Sequence, residues 1–147
     1  MSAEATSTHN VQQAVPFFFV SNIEASARWY VEGLGFETTL KWTPGGVLRW
    51  CWLKLGGAAV MLQELRTEGH CSRPPLANPG EGVSVYFICQ DAVAIYREIT
   101  ARGIQATRPV VGNGMWVTSM RDPDGYQLHF ESPTDVPEKT VLSDAEG

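Results

Sequence analysis

The stretch "RDPDGYQLHFESP", residues 121–133, decides how this chain folds. Its DPDG tetrapeptide combines residues that favour positive φ, a fixed φ and local side-chain hydrogen bonds, so it predicts a turn. After the turn, Leu128 and Phe130 alternate with the polar residues Gln127, His129 and Glu131. A period of two predicts a strand with one face on the core and a mixed face turned away from it.

The residues before this turn supply further elements. "MWVTSMR" (115–121) and "VSVYFI" (83–88) predict strands, and "DAVAIYREITARG" (91–103) predicts a helix that ends at Gly103. The first half has the same order. A strand at 15–20 leads into a helix that Asn22 can cap and Gly35 can end, and strands at 47–55 and 58–65 meet at a Gly-Gly turn.

The two halves coincide at a constant offset of 68 residues. This offset relates Phe19 to Phe87, Gly35 to Gly103, Gly57 to Gly125 and Val60 to Leu128. The glycines at the helix ends and turns match at this offset without a gap. This agreement predicts an internal repeat of one structural unit. We expect a single domain at 11–134, with modules at about 14–65 and 82–132, a disordered tail at 1–10 and a C-terminal tail at 135–147. The Pro- and Gly-rich connection at 66–81 is either a tether or a lid over a pocket.

Composition narrows the function classes. The net charge of −5 argues against nucleic acid as a partner, and no apolar run is long enough for a membrane span. The polar N-terminus has no apolar segment of the secretory kind. Three cysteines without a CxxC spacing indicate a reducing compartment, so we expect a cytoplasmic protein.

The alternation of the strands predicts which side chains face a ligand. The aliphatic positions should lie under the helices, which leaves Met61, Gln63, His129 and Glu131 on the opposite face. In the opening strands Phe17, Phe19, Val83, Val85 and Phe87 form an apolar set, and Pro16, Phe18, Ser84 and Tyr86 form the mixed one. Periodicity does not decide which row of tryptophans faces a cavity. The predicted ligand-binding residues are Pro16, Phe18, Trp50, Trp52, Met61, Gln63, Ser84, Tyr86, Trp116, His129 and Glu131.

The strand and helix order, with "FFFVSNIEASARWYVEGLGFE" (17–37) and "RDPDGYQLHFESP", resembles the vicinal oxygen chelate superfamily. This group contains glyoxalase I, extradiol dioxygenases, methylmalonyl-CoA epimerase, fosfomycin-resistance transferases and bleomycin-binding proteins. The resemblance covers residues 11–134. It implies an α+β fold in which two βαβββ modules form a curved mixed sheet around a cavity.

The resemblance also implies metal ligands on the first and last strands of each module. The nearest matches are Pro16, Met61, Ser84 and His129, of which only His129 is a usual ligand for a divalent ion. We therefore expect no metal and no other cofactor. A divalent metal held by His129, Glu131 and Gln63 is the minor alternative.

These points predict a metal-independent binding protein, similar to the bleomycin-resistance branch, that sequesters an aromatic or cationic compound. The alternative is a divergent enzyme, either a glyoxalase-type lyase or isomerase or a ring-cleaving dioxygenase, with His129 and Glu131 as catalytic candidates. A third reading makes the mixed face a protein interface. The exposed sheet edges predict a homodimer, and the sequence leaves open whether the cavity forms within one chain or between two.

Overall fold

A computed structural model describes residues 10–66 and 76–143. The tail predicted at 1–10 lies outside the described residues except for its last member, as do the middle of the connecting loop and residues 144–147. The choice between tether and lid for that loop therefore falls outside them as well. No helix in the described part of the chain is long and apolar enough to cross a membrane.

The first module is a helix on a four-stranded sheet. Its elements are β1 (Phe17–Val20), α1 (Ile23–Arg28), β2 (Glu37–Trp42), β3 (Trp50–Leu55) and β4 (Ala58–Glu64). The strand order is β1-β4-β3-β2, in which β1 runs parallel to β4 and the other pairs are antiparallel. Helix α1 continues without a break as a π-helix, Trp29–Leu34.

The second module repeats this plan. It consists of β5 (Ser84–Ile88), α2 (Ala92–Ala101), β6 (Val110–Gly112), β7 (Met115–Arg121) and β8 (Gln127–Pro133), in the order β5-β8-β7-β6. The predicted α+β fold of two βαβββ modules is confirmed. The sequence pattern did not mark β2 or β6, because β2 is exposed along its whole length and β6 has three residues.

The helical stretches of the two modules, taken from the capping residue to the final glycine, differ in length by one residue. Each begins at a side-chain cap, since Asn22 accepts the N–H of Ala25 and Asp91 accepts that of Ala94. Each ends at a left-handed glycine, Gly35 with φ 94° or Gly103 with φ 95°. The stretch from cap to glycine has one residue more in the first module. The wider turn of the π-helix accommodates this residue.

This extra residue shifts the repeat before the helix and corrects one prediction. Phe17 pairs with Met61, and Tyr86 pairs with His129, so Phe17 is the counterpart of Tyr86. Phe18 is 2% exposed and lies under the helix, whereas Phe17 is 45% exposed. The expectation that Pro16 and Phe18 share the mixed face is therefore wrong for β1. In β5 the alternation agrees with the prediction, because Ser84 and Tyr86 lie on the same face as His129.

One hydrophobic core spans both modules. The helices cover one face of each sheet and bury a set that includes Phe18, Leu53, Leu62, Phe87, Leu128 and Phe130. The Phe18 ring stacks on Tyr126 with centroids 4.0 Å apart, and Phe36 meets Phe87 edge-on at 6.0 Å. Burial of each such side chain contributes about 1.5–3 kcal/mol, so the modules stabilise one another.

A buried carboxylate adds a polar link between the modules. Asp122 accepts the hydroxyl hydrogen of Tyr30 at 2.7 Å and the N–H groups of Asp124 and Tyr126 at 2.9 and 3.0 Å. Burial raises the pKa of Asp122, although the three hydrogen bonds favour its charged form. The Tyr126 hydroxyl in turn donates to the carbonyl of Phe19. The DPDG turn is thus fastened to the helix and first strand of the other module.

Part of the predicted C-terminal tail covers a sheet edge. The N–H of Lys139 donates to the carbonyl of Val111, and Leu142 is buried with its N–H on the carbonyl of Pro109. The Glu138 carboxylate accepts two N–H groups of the turn between β6 and β7. This segment occupies hydrogen-bonding groups that β6 would otherwise present to another chain.

Gly80 packs against the DPDG turn so closely that a methyl group would overlap the backbone of Gly125 and Tyr126. We expect Gly80→Ala to lower the free energy of unfolding by about 1–3 kcal/mol, because the two backbones must move apart. Urea denaturation measures this change. Gly57→Ala is the matched control, since nothing lies near its added methyl group. Equal stability of the two variants would contradict the close approach.

Candidate functional site

The sheet surfaces turned away from the helices form what we call the open face. On the first module the open face is a wall of large side chains, all of them apolar except Gln63. Cross-strand pairing aligns them in two rows, Trp42, Trp50, Gln63 and Phe19 in one and Leu40, Trp52, Met61 and Phe17 in the other. We call these eight residues the aromatic wall.

The open face carries much of the exposed apolar surface. Six of the ten large hydrophobic residues exposed in the described part of the chain lie on it: Phe17, Leu40, Trp42, Tyr86, Ile88 and Val110. Single exposed hydrophobic residues are ordinary, but a contiguous set marks a surface that a ligand or partner covers. The open face is therefore the first candidate for a binding site.

The second module contributes a polar wall. Pairing aligns Ser119, His129 and Tyr86 in one row, Arg121, Gln127 and Ser84 in the next, and Val117, Glu131 and Ile88 in a third. The row of Ser119, His129 and Tyr86 thus occupies positions that correspond to Trp52, Met61 and Phe17 in the first module. In the third row, Glu131 corresponds to Gln63, and Val117 and Ile88 are apolar. The open face is thus mainly apolar on the first module and mainly polar on the second.

His129 is held on two sides. Its Nδ1 lies 2.7 Å from Oγ of Ser119, and its ring stacks on Tyr86 with centroids 4.2 Å apart and planes inclined by 15°. Nε2 is shielded from solvent and has no hydrogen-bond partner. Burial lowers the pKa of His129 and the Glu131 carboxylate opposes this change, with burial the larger cause. The lowered pKa favours the neutral imidazole.

Most predicted site residues come together on the open face. Pairing places there Trp50, Trp52, Met61, Gln63, Ser84, Tyr86, His129 and Glu131. Trp116 does not join them, because it pairs with Ser132 and Val111 on the helix side and packs against the core. The constant offset of 68 residues does not relate β3 to β7. Trp52 and Ser119 occupy matching positions, because Trp52 pairs with Met61 and Ser119 pairs with His129.

Sequence reasoning missed several members of this site. Phe17 and Phe19 were assigned to the helix side, and Leu40, Trp42 and Ser119 were not singled out. The apolar–polar–apolar run of Leu40, Lys41 and Trp42 is the signal that could have found β2. A break in the β2–β3 register between Thr38 and Leu40 interrupts this pattern before it becomes long enough to be persuasive.

The open face does not fit a divalent metal. Met61 and His129 occupy matching positions, and their neighbours on the first strand of each module are Phe17 and Tyr86. One imidazole, a thioether, a phenyl ring and a phenol do not form a donor set for a hard or borderline ion. Within residues 10–66 and 76–143, no group of three or more His, Cys, Asp or Glu side chains lies together.

Several clefts border the open face in the described part of the chain, and we describe the two that reach the ends of the polar wall. A polar cleft of about 630 Å³ lies between residues 77–82 and the DPDG turn, and Arg121 and Gln127 form one side of it. An apolar cleft of about 620 Å³ lies between the β3–β4 turn and the end of β5, where Tyr86 and Ile88 form its border. Residues at the two ends of the polar wall therefore line these clefts. Trp50 and Trp52 line neither of them.

Comparison with known proteins identifies the family. The model of the glyoxalase/bleomycin resistance protein/dioxygenase superfamily matches residues 10–130, and the chain belongs to this superfamily. Comparison with the curated proteins gives no match.

Solved structures of low sequence identity share the fold. TioX from Micromonospora sp. ML1 is 20% identical, with a TM-score of 0.63, over 86% of this chain and 99% of TioX. A glyoxylase/bleomycin resistance protein/dioxygenase domain from Frankia sp. EAN1pec is 17% identical, with a TM-score of 0.65, over 88% and 96% of the two chains. TnmS3, an antibiotic binding protein from Streptomyces sp. CB03234, is 21% identical, with a TM-score of 0.62, over 86% and 100%.

Proposed function

We propose that the chain is a metal-independent small-molecule binding protein that sequesters an aromatic or cationic compound on its open face. The observation that carries this proposal is an aromatic wall on the first module together with a polar wall on the second that includes the His129 imidazole and, in the described part of the chain, has no metal-donor set. A site of this kind holds a ligand by burial of flat apolar surface and orients it by a few hydrogen bonds.

The side chains of the aromatic wall suit a flat ring system. Trp50 and Trp52 are half-buried and Trp42 is exposed, so their rings retain surface that a ligand can cover. The faces of these rings also attract cations, and Glu131 adds a carboxylate at the polar wall. The antibiotic-binding relative TnmS3 supports a binding role for this chain.

We further propose that the protein is a cytoplasmic homodimer in which the second copy covers part of the open face. The exposed apolar side chains of the open face and the solvent-exposed edge strand β2 support this assembly. Cys51 and Cys89 are free thiols, which fits a reducing compartment.

The proposal predicts that purified protein carries no stoichiometric metal and binds aromatic compounds in the presence of a chelator. Elemental mass spectrometry on protein prepared without a His-tag tests the first part, and quenching of Trp fluorescence with and without EDTA tests the second. A stoichiometric Fe, Zn, Ni or Mn that is lost in His129→Ala would overturn the proposal. It would favour the alternative of a divergent lyase, isomerase or dioxygenase.

A further inference from the structure

The His129 imidazole is fixed at one nitrogen and unpaired at the other. Ser119 and His129 lie directly opposite each other on β7 and β8, with Oγ 2.7 Å from Nδ1. Nε2 is shielded from water and has no partner. A buried polar atom of this kind calls for an explanation, and an absent ligand is one.

The length of the Ser119–His129 contact indicates which nitrogen carries the proton. If Ser119 donates to Nδ1, its hydroxyl hydrogen and the Nδ1 lone pair are both satisfied, and the proton of the neutral imidazole is on Nε2. If Nδ1 donates instead, the hydroxyl hydrogen of the half-exposed Ser119 turns away from His129. Hydroxyl donors form hydrogen bonds of about 2.7–2.8 Å and N–H donors form hydrogen bonds of about 2.9–3.0 Å, so the separation of 2.7 Å between Oγ and Nδ1 favours donation by Ser119.

We infer that Ser119 is a positioning residue that holds His129 as the Nε2–H tautomer, so that the open face selects flat aromatic ligands carrying an acceptor oxygen. This inference rests on the proposed binding function and names the ligand class for it. Carbonyl, phenolate and carboxylate oxygens attached to a ring belong to this class. A ring system without oxygen leaves the Nε2 hydrogen unpaired.

The surroundings of His129 agree with a ligand that lies flat. The Nε2–H bond lies in the imidazole plane, and the Tyr86 ring is nearly parallel to this plane. A ligand ring that lies beside the imidazole and in its plane can therefore place an oxygen along the Nε2–H bond, whereas a ring stacked on the imidazole cannot. Tyr86 is 54% exposed, and a ligand reaches the shielded Nε2 only when side chains around His129 move.

The tautomer can be measured without a ligand. Long-range proton–nitrogen NMR correlations distinguish Nε2–H from Nδ1–H in a neutral imidazole, and comparison with His129→Gln assigns the signals. We expect the Nε2–H pattern for His129 in the wild-type protein at a pH where every histidine is neutral. An Nδ1–H pattern would overturn the inference whatever the protein binds.

A matched pair of probes tests the ligand class. Anthraquinone sulfonate and anthracene sulfonate share ring shape and charge but differ in the two carbonyl oxygens. We expect the wild-type protein to bind the quinone about tenfold more tightly. His129→Phe should bring the affinity ratio close to unity, and Ser119→Ala should lower it. Ser119→Thr retains the hydroxyl and should restore the ratio, which a purely structural role of Ser119 would not produce.

The outcomes separate this inference from the function on which it rests. Equal affinity of the wild-type protein for both probes overturns the ligand class and leaves aromatic binding intact. An unchanged preference for the quinone in His129→Phe overturns the role of His129. Failure of the wild-type protein to bind either probe overturns the proposed function and the ligand class together, while the NMR result still decides the tautomer.

Discussion

Replacement of Asp122 by alanine is expected to lower the free energy of unfolding by about 3–5 kcal/mol, which is a large part of the stability of an ordinary domain. The substitution leaves the buried Tyr30 hydroxyl and Tyr126 N–H, and the partly buried N–H of Asp124, without their acceptor. It also loosens the DPDG turn, which joins the second module to the helix of the first. Urea denaturation followed by circular dichroism measures the loss.

Asp135→Ala is the matched control, because this exposed carboxylate should contribute within about 0.5 kcal/mol. A loss in Asp122→Ala as small as that in the control would show that the junction does not depend on the carboxylate. Asp122→Asn is a second comparison, because its amide oxygen can still accept the two backbone N–H groups.

The pH dependence of Asp122→Asn has a definite sign. Burial raises the folded-state pKa of Asp122 above its ordinary value of 3.8, so the folded protein holds this proton more tightly than the unfolded chain. The stability linked to this group is complete below the unfolded pKa and falls as pH rises through the folded one. The wild-type protein should therefore gain stability relative to Asp122→Asn on acidification through this interval. A gain on alkalinisation would contradict the direction of the shift.

The repeat was readable from the sequence because its signals are local. Left-handed glycines and turn residues have few substitutes, so Gly35 and Gly103 mark the helix ends in any context. The DPDG turn and the alternation in β8 are equally local. These features were sufficient to predict the α+β fold and its two modules.

The sequence predicts less reliably which face of the sheet each strand side chain lies on. A one-residue insertion exchanges the two faces of a strand, because side chains alternate with a period of two. The π-helix supplies such an insertion between Asn22 and Gly35, and nothing in the alternation of "FFFV" reveals it, since all four residues are apolar. Phe18 was misassigned for this reason. Trp116 was predicted to bind the ligand although its face was left open, and it lies on the helix side. The offset of 68 does not relate β3 to β7, because the hairpins before β4 and β8 differ in length.

The polar half of the site depends on cross-strand neighbours. The contact between Ser119 and His129 joins residues that are ten positions apart and requires the β7–β8 register. The hydrophobic pattern of "VTSMR" does not distinguish a serine that contacts a functional residue from a serine on the surface. The sequence therefore indicated His129 as a ligand contact but not the group that orients it.

Replacement of Trp52 by alanine is expected to weaken the binding of anthraquinone sulfonate about 30-fold, the loss typical of a central aromatic contact. Trp52 lies in the middle of the aromatic wall, paired with Leu40 on one side and Met61 on the other. Its half-buried indole has a fixed position and an uncovered surface, so a ligand gains contact area with little loss of side-chain entropy. Isothermal titration calorimetry measures the affinity without relying on the tryptophan that is removed.

Trp116→Phe is the control on the opposite face of the sheets. Its side chain packs against the helix-side core, so the substitution should leave the affinity within about twofold even where it lowers stability. Comparable losses of affinity in the two variants would place the ligand elsewhere, because no single surface of the protein includes both tryptophans. A loss confined to Trp52→Ala would locate binding on the open face and would separate a ligand-binding tryptophan from one that belongs to the core.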